Sequence, residues 1–255
     1  MLDIHSHILP GIDDGSKDID TTLEMLRIAK SDGIDKIIAT PHFYKFNYEN
    51  SYSDVVELIK KVSERAKDKN IDIEILPGQE VYLDKFTLDL YNNGNIGTLN
   101  NSQYMLVELQ PSKLEPHILD IIYELRVKGI TPIIAHPERY VFVHNNLSSL
   151  NDFIREGCLF QINTGSIAGI YGKKLKRITK KLLDKNICDF IATDAHSIGV
   201  RKPQMNKILM NSLKSYRHIG EIVERNCRLL LNDSTIICNR ELIIENKRYF
   251  WLNKK

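Results

Sequence analysis

Five of the chain's eight histidines, His5, His7, His42, His136 and His196, stand at the ends of short aliphatic runs, and so do Glu80, Glu108 and Asp194. Parallel α/β folds build their sites from side chains at the carboxyl ends of strands, so this shared position predicts one polar cluster. His5-Ser6-His7 carries imidazoles at i and i+2. On an extended segment alternate side chains point the same way, so both can reach one ion. Imidazole nitrogen mixed with carboxylate oxygen, without thiolate, favours Mn²⁺, Fe²⁺ or Zn²⁺. So many ligands exceed the need of a single ion. Two or three metals sharing a bridging carboxylate, about 3.5–4 Å apart, would use them and set a bridging water for in-line attack on a phosphate ester.

A phosphate substrate also needs cationic donors. Arg139, in His136-Pro137-Glu138-Arg139-Tyr140, and Arg201, after Asp194-Ala195-His196, lie just past ligand-bearing strand ends and serve as candidate clamps. Each residue has a plainer reading taken singly. A lone histidine at a strand end is ordinarily a surface or hydrogen-bonded group, and Glu80 or Glu108 a solvated charge. Arg139 singly reads equally well as one half of an ion pair, and Arg201 beside Lys202 as a solvated cation. Their joint register is what favours a site. His117, His144 and His218 fall on helices or a loop away from strand ends and read as non-ligands.

Positioning these groups requires repeated strand and helix units. Leu2 to Ile4, Lys36 to Ala39, Ile71 to Leu76, Tyr104 to Leu109, Thr131 to Ala135, Leu159 to Ile162 and Phe190 to Ala192 read as strands. Helices are expected over Thr21 to Ser31, Tyr52 to Lys69, Pro116 to Lys128, Leu150 to Glu156 and Leu175 to Asp184, with Asp18 or Asp20 capping the first. The count predicts a distorted (β/α)7 TIM-like barrel, closed by a helical segment from Gln204 to about Leu231, with residues from about 232 as an appendage to a single domain over 1–255. Asp84 to Ser102 reads as an irregular excursion. The basic run Lys173, Lys174, Lys176, Arg177, Lys180 and Lys181 reads as a solvated helix face, with docking of an acidic partner as the alternative.

Several classes are disfavoured. The 35 Lys and Arg nearly balance the 33 Asp and Glu, so no overall field draws the chain to nucleic acid or to an anionic membrane. No run approaches the roughly 18 apolar residues of a membrane span, and Met1 to His5 lack a signal-peptide pattern, so a soluble cytoplasmic protein is expected. Cys158, Cys188, Cys227 and Cys238 lack CxxC spacing and read as reduced. Gly-rich phosphate loops and a Gly-x-Ser-x-Gly elbow are missing, and no cysteine has arginine six positions on.

The motifs Asp3-Ile4-His5-Ser6-His7, Thr40-Pro41-His42, Gly78-Gln79-Glu80, His136-Pro137-Glu138-Arg139-Tyr140 and Thr193-Asp194-Ala195-His196 resemble those of the PHP (polymerase and histidinol phosphatase) superfamily, over residues 1 to about 230. Within it, His5 to Gly15 together with His-Pro-Glu-Arg-Tyr is similar to the bacterial manganese-dependent tyrosine-protein phosphatases of capsule and exopolysaccharide loci. The resemblance implies a PHP fold and a trinuclear Mn²⁺ site. His5, His7, Glu80 and Asp194 would hold one metal; Glu80 would bridge to a second, held with Glu108 and His136; Asp14, His42 and His196 would hold a third. Spacing alone does not choose between Asp13 and Asp14; the resemblance selects Asp14. It also implies that Arg139 and Arg201 bind substrate phosphate, and that the partner is an autophosphorylated bacterial tyrosine kinase with a tyrosine-rich C-terminal tail. Neither the oligomeric state nor a general acid can be read from the sequence.

Rival readings are a histidinol-phosphatase-like small-molecule phosphatase, a PHP-type nuclease, an amidohydrolase and a scaffold that binds without cleaving. An amidohydrolase ordinarily offers a lysine where this chain has Glu108. The full ligand set argues against the scaffold.

Overall fold

Parallel strand pairing organises the chain. In the computed structural model, which describes residues 1–212, 216–238 and 240–244, the strand segments are β1 (Leu2–Ser6), β2 (Lys36–Ala39), β3 (His42–Phe43), β4 (Glu74–Pro77), β5 (Glu80–Tyr82), β6 (Tyr104–Glu108), β7 (Thr131–Ala135), β8 (Leu159–Asn163) and β9 (Phe190–Ala192). One sheet has the order β1-β2-β4 and the other β3-β5-β6-β7-β8-β9, with every pairing parallel. The result is a mixed α/β fold of parallel sheets.

Two of the expected strands are each followed, after a break, by a second short segment outside the expected set, β3 after β2 across Thr40-Pro41 and β5 after β4 across Gly78-Gln79. Pro41 has no N–H to give a ladder. At Gly78 a Cβ would lie 2.6 Å from Ile38 Cγ2 and 2.9 Å from Leu99 Cδ2, so only glycine lets the bend pack. Hydrogen bonding resumes past the breaks, with Thr40 N donating to Ser6 O and Glu80 N to Pro41 O. The breaks aim His42 and Glu80 side by side, in register with each other. At the other edge, His7 N donates to Ala195 O and Asp194 N to His5 O, both at 2.8 Å. The buried Asp3 carboxylate ties the same seam by accepting from Thr193 N and Oγ1.

The helices are α1 (Ile19–Ser31), α2 (Tyr52–Asp68), α3 (Thr87–Asn92), α4 (Ile118–Val127), α5 (Val141–Asn145), α6 (Asn151–Arg155), α7 (Thr164–Ala168), α8 (Lys173–Asp184), α9 (Asn206–Ser212) and α10 (Arg217–Leu231). Asp18, not Asp20, caps α1, accepting from Thr21 N. Ser51 and Asp54 form a reciprocal capping box on α2, which buries Val55, Ile59, Val62 and Ala66 against the first sheet's core. The expected irregular excursion holds α3, too short for a periodic apolar pattern to show. Pro116 precedes α4 instead of opening it. α8 buries Ile178, Leu182 and Leu183, and its lysines face outward.

The chain beyond α10 crosses the end of the sheet opposite the histidine cluster. Gln103 N donates to Asp233 Oδ1, Tyr104 Oη donates to Ser234 O, Asn151 Nδ2 donates to Ile243 O, and Ile236 and Ile243 are buried. Residues 245–255, the rest of the expected appendage, lie outside the described residues. All four cysteines are free thiols. Among the described residues no helix is long and apolar enough to cross a membrane.

Candidate metal centre

The turn after β1 decides which acidic residues meet the histidines. Ser16 N donates to His7 O, folding the loop back on its own start, and a Cβ at Gly15 would lie 2.2 Å from that oxygen. Glycine is therefore required, and the turn delivers Asp13 and Asp14 to different partners. Asp13 Oδ2 lies 2.7 Å from His7 Nδ1 and also accepts from His42 N. Asp14 Oδ1 instead lies 3.3 Å from His196 Nε2 and 3.5 Å from His42 Nε2. Asp13 orients a ligand, and Asp14 stands among them.

Glu80 is at the centre. Its Oε2 lies 3.1 Å from each of His5 Nε2, His7 Nε2 and His42 Nδ1, and its Oε1 lies 2.8 Å from His136 Nε2. Asp194 Oδ1 lies 3.5 Å from His5 Nε2 and 3.6 Å from His7 Nε2. Glu108 lies 3.7 Å from His136 Nε2 and 3.8 Å from His42 Nδ1. All nine residues singled out as ligands are thus in one cluster. Three overlapping sets fit single ions: His5, His7 and Glu80; His42, Glu80 and Glu108; and His7, Asp14, His42 and His196. His42 and His7 each belong to two sets, a sharing that the sequence did not suggest.

A chain of amide orientations fixes the tautomers. Asp194 Oδ2 can only accept, so Asn163 turns its Nδ2 toward it at 2.7 Å; Asn163 Oδ1 then accepts from Gln161 Nε2, leaving Gln161 Oε1 to accept from His5 Nδ1 at 2.9 Å. On His7 the Asp13 carboxylate accepts a hydrogen bond from Nδ1–H at 2.7 Å. In the neutral rings both Nε2 atoms are then lone pairs, and they converge to 3.1 Å beside Glu80 Oε2. A cation satisfies that arrangement, and Glu80 and Asp194 supply the carboxylates that a metal ion needs. The donor set fits the hard or borderline divalent ions expected from the sequence.

The site's electrostatics are those of a crowded acidic pocket. Burial, with the Glu80 charge next, pushes the Glu108 carboxyl up to about 8. Burial pushes His136 down to about 4, and burial together with His7 pushes His196 down to about 4. Burial opposes ionisation of Glu80 too, but His5, His42 and the hydrogen bond from His136 hold it well below the usual range. Two residues of the cluster hold left-handed backbone, His136 at φ 33° and Asp194 at φ 51°.

Arg139 and Arg201 both reach the cluster through Asp194. Arg139 Nη1 donates to Oδ2 at 3.1 Å and Arg201 Nη2 to Oδ1 at 2.7 Å. Their side chains remain 40% and 27% exposed, so donors are left for a ligand at the mouth. His144 and His218 bond elsewhere, to Glu138 O and Asn186 Oδ1, and His117 sits at the start of α4. Sequence reasoning missed Gln161 and Asn163, and weighed Asp13 only as a ligand in place of Asp14. The signal available was two amides at i and i+2 in a strand otherwise built to be buried.

A family model for capsular polysaccharide synthesis, CpsB/CapC, matches residues 1–232. The chain belongs to the CpsB/CapC family. This CpsB/CapC chain is 34% identical over 252 residues to the tyrosine-protein phosphatase YwqE of Bacillus subtilis, covering 98% of this chain and 99% of that one. It is 30% identical over 243 residues to the tyrosine-protein phosphatase CpsB of Streptococcus pneumoniae, covering 92% and 100%. A crystal structure from work on YwqE and CpsB, described as unique metal-dependent tyrosine phosphatases, superposes with a TM-score of 0.91 at 33% identity, covering 96% of this chain and all of that one. A Lactococcus lactis histidinol phosphate phosphatase, at TM-score 0.50 and 14% identity over 91% of this chain and 94% of that one, shares the fold of this CpsB/CapC chain.

Proposed function

We propose that this chain is a metal-dependent protein-tyrosine phosphatase that acts on an autophosphorylated bacterial tyrosine kinase controlling capsular or extracellular polysaccharide synthesis. The observation that carries the reading is the convergence of His5 Nε2 and His7 Nε2, 3.1 Å apart and each 3.1 Å from Glu80 Oε2, with Gln161 and Asp13 bracing the far side of each ring. The CpsB/CapC relatives named as tyrosine-protein phosphatases support the substrate class.

His5, His7, Glu80 and Asp194 would hold one ion, Glu80, Glu108 and His136 a second, and Asp14, His42 and His196 a third, with Mn²⁺ as the expected metal. When bound, the ions supply Lewis acidity toward phosphate oxygen and water. The protein's own share is positional. Arg139 and Arg201, each tethered by one nitrogen to Asp194, point their remaining donors at the mouth, where a phosphate dianion would be gripped. A phenolate leaving group, with a pKa of about 10, needs less protonation than an alkoxide. No strong general acid is then required.

Closure of the strands into a distorted seven-stranded barrel is part of the same proposal. It is supported by the Ser6 to Ala195 bridge joining the first and last strands. A cytoplasmic location and docking on the kinase's C-terminal tail belong to the same proposal. The decisive experiment is metal analysis of the purified protein together with hydrolysis of a phosphotyrosine peptide, with and without chelator. Mn²⁺-dependent turnover abolished by chelation is expected. Equal turnover of histidinol phosphate would overturn the protein-substrate assignment.

A further inference from the structure

The metal cluster continues outward into a wall of aromatic rings that none of the ligand chemistry uses. β3, β5 and β6 place His42, Glu80 and Leu106 on one rung, and two residues further out Tyr82 is paired with Glu108. Side chains on strands repeat every two residues, so Tyr44 and Tyr82 follow His42 and Glu80 on the same face. Their rings are stacked, with centroids 4.2 Å apart and planes 23° from parallel. Tyr48 lies over His42 itself at 5.8 Å and 16°. Beyond them Phe46 meets Phe86 edge-on at 5.7 Å.

The outermost ring is held out deliberately. Tyr44 and Tyr48 exchange two backbone hydrogen bonds of 2.8 Å, closing a tight loop with Phe46 near its tip. Glu49 pins that tip, accepting from Phe46 N and from Lys45 Nζ, both at 2.8 Å. Phe46 has φ 70°, a strained value for a side chain of its size, and is 75% exposed. Burying Phe46 would relieve an apolar surface, and the loop instead spends its hydrogen bonds on keeping the ring in solvent. Lys45 and Lys85 sit over Phe46 and Phe86 at 5.3 and 5.1 Å, adding positive charge to the rim.

We propose that Tyr44, Phe46, Tyr82 and Phe86 form a platform that receives an aromatic or apolar side chain of the substrate peptide next to the phosphorylated tyrosine. The inference rests on the phosphatase reading of the adjoining site. Continuity decides the occupant: the wall begins at His42 and Glu108, so whatever it holds is covalently close to the reacting phosphate. A sugar phosphate offers no aromatic or apolar side chain to fill it. The platform therefore selects peptides over small phosphate esters and acts on KM, since it touches residues beside the reacting bond.

The test compares Mn²⁺-loaded wild-type protein with Phe46→Ala/Phe86→Ala on three substrates: a phosphotyrosine peptide flanked by phenylalanine, the same peptide flanked by glycine, and p-nitrophenyl phosphate. The ratio of kcat/KM for the phenylalanine-flanked peptide to that for p-nitrophenyl phosphate should fall at least about fivefold, through KM. Phe46→Leu should recover part of it. An unchanged ratio, or an equal loss on both peptides, overturns the platform. If the wild type turns over no aryl phosphate, the phosphatase reading fails instead. The platform is then decided by fluorescence anisotropy: tighter binding of the phenylalanine-flanked peptide that the double variant loses supports it, and equal binding overturns it.

Discussion

Replacing Gln161 by leucine should weaken metal binding without touching a ligand. In the native structure His5 Nδ1–H donates to Gln161 Oε1 at 2.9 Å, which in the neutral ring leaves Nε2 as the lone pair facing Glu80. Leucine keeps the volume and removes both the acceptor and the Nε2 donor that orients Asn163 at 2.8 Å. A buried donor left without a partner costs about 1–3 kcal/mol. His5 escapes that cost by moving its proton elsewhere, at the expense of the Nε2 lone pair. Loss of an outer hydrogen bond of this kind lowers metal affinity by about 10–100-fold, or about 1.4–2.7 kcal/mol. Competition against a fluorescent chelator reads the Kd for Mn²⁺ directly, and activity should recover substantially at saturating metal. Gln161→Glu keeps an acceptor on Nδ1 and should retain more affinity than the leucine variant. Wild-type affinity in Gln161→Leu, or an equal loss in both variants, would show that the amide chain does not set the tautomer.

Three further outcomes are expected. His136→Ala removes the nitrogen 2.8 Å from Glu80 Oε1 and should lower phosphotyrosine hydrolysis by more than about 100-fold; retained turnover at saturating Mn²⁺ would remove His136 from the site. Arg201→Lys keeps the charge and loses the fork, so kcat/KM should fall about 10–100-fold with metal content unchanged, as measured by elemental analysis alongside steady-state kinetics. Asp3 has its pKa raised from 3.8 to about 6 by burial, so the native state holds a proton that the unfolded chain releases between those values. The stability it contributes is fully present below pH 3.8 and lost as pH rises through 6, a loss of about 3 kcal/mol. Urea unfolding in excess chelator should show that component of the slope between pH 4 and 7 vanish in Asp3→Asn, and a slope unchanged by the substitution would place its origin elsewhere.

Much of the site could be read along the chain because strand ends are local features. An aliphatic run followed by His, Glu or Asp marks a carboxyl end, and a parallel sheet brings all such ends to one side whatever the details of packing. That logic put His5, His7, His42, Glu80, Glu108, His136, Asp194 and His196 together before any coordinate was known. It fails where position depends on how one segment folds back on another. Asp13 and Asp14 are neighbours with the same charge, and only the turn closed by Gly15 sends one to His7 Nδ1 and the other to His196. Gln161 and Asn163 look like misplaced polar residues in β8 until Asp194 and His5 flank them in space. The interruptions at Pro41 and Gly78 are visible as residues, yet their effect, setting His42 and Glu80 in register, belongs to the pairing of two strands.

Residue types and their order thus determined the family of chemistry, because metal preference follows from donor atoms. The tertiary structure decided which donors stand close enough to share an ion, which groups face each ring nitrogen, and that Arg139 and Arg201 meet on one carboxylate. Those are relations between side chains more than fifty residues apart in several cases, as with Arg139 and Asp194, and their distances exist only once the parallel strands have paired.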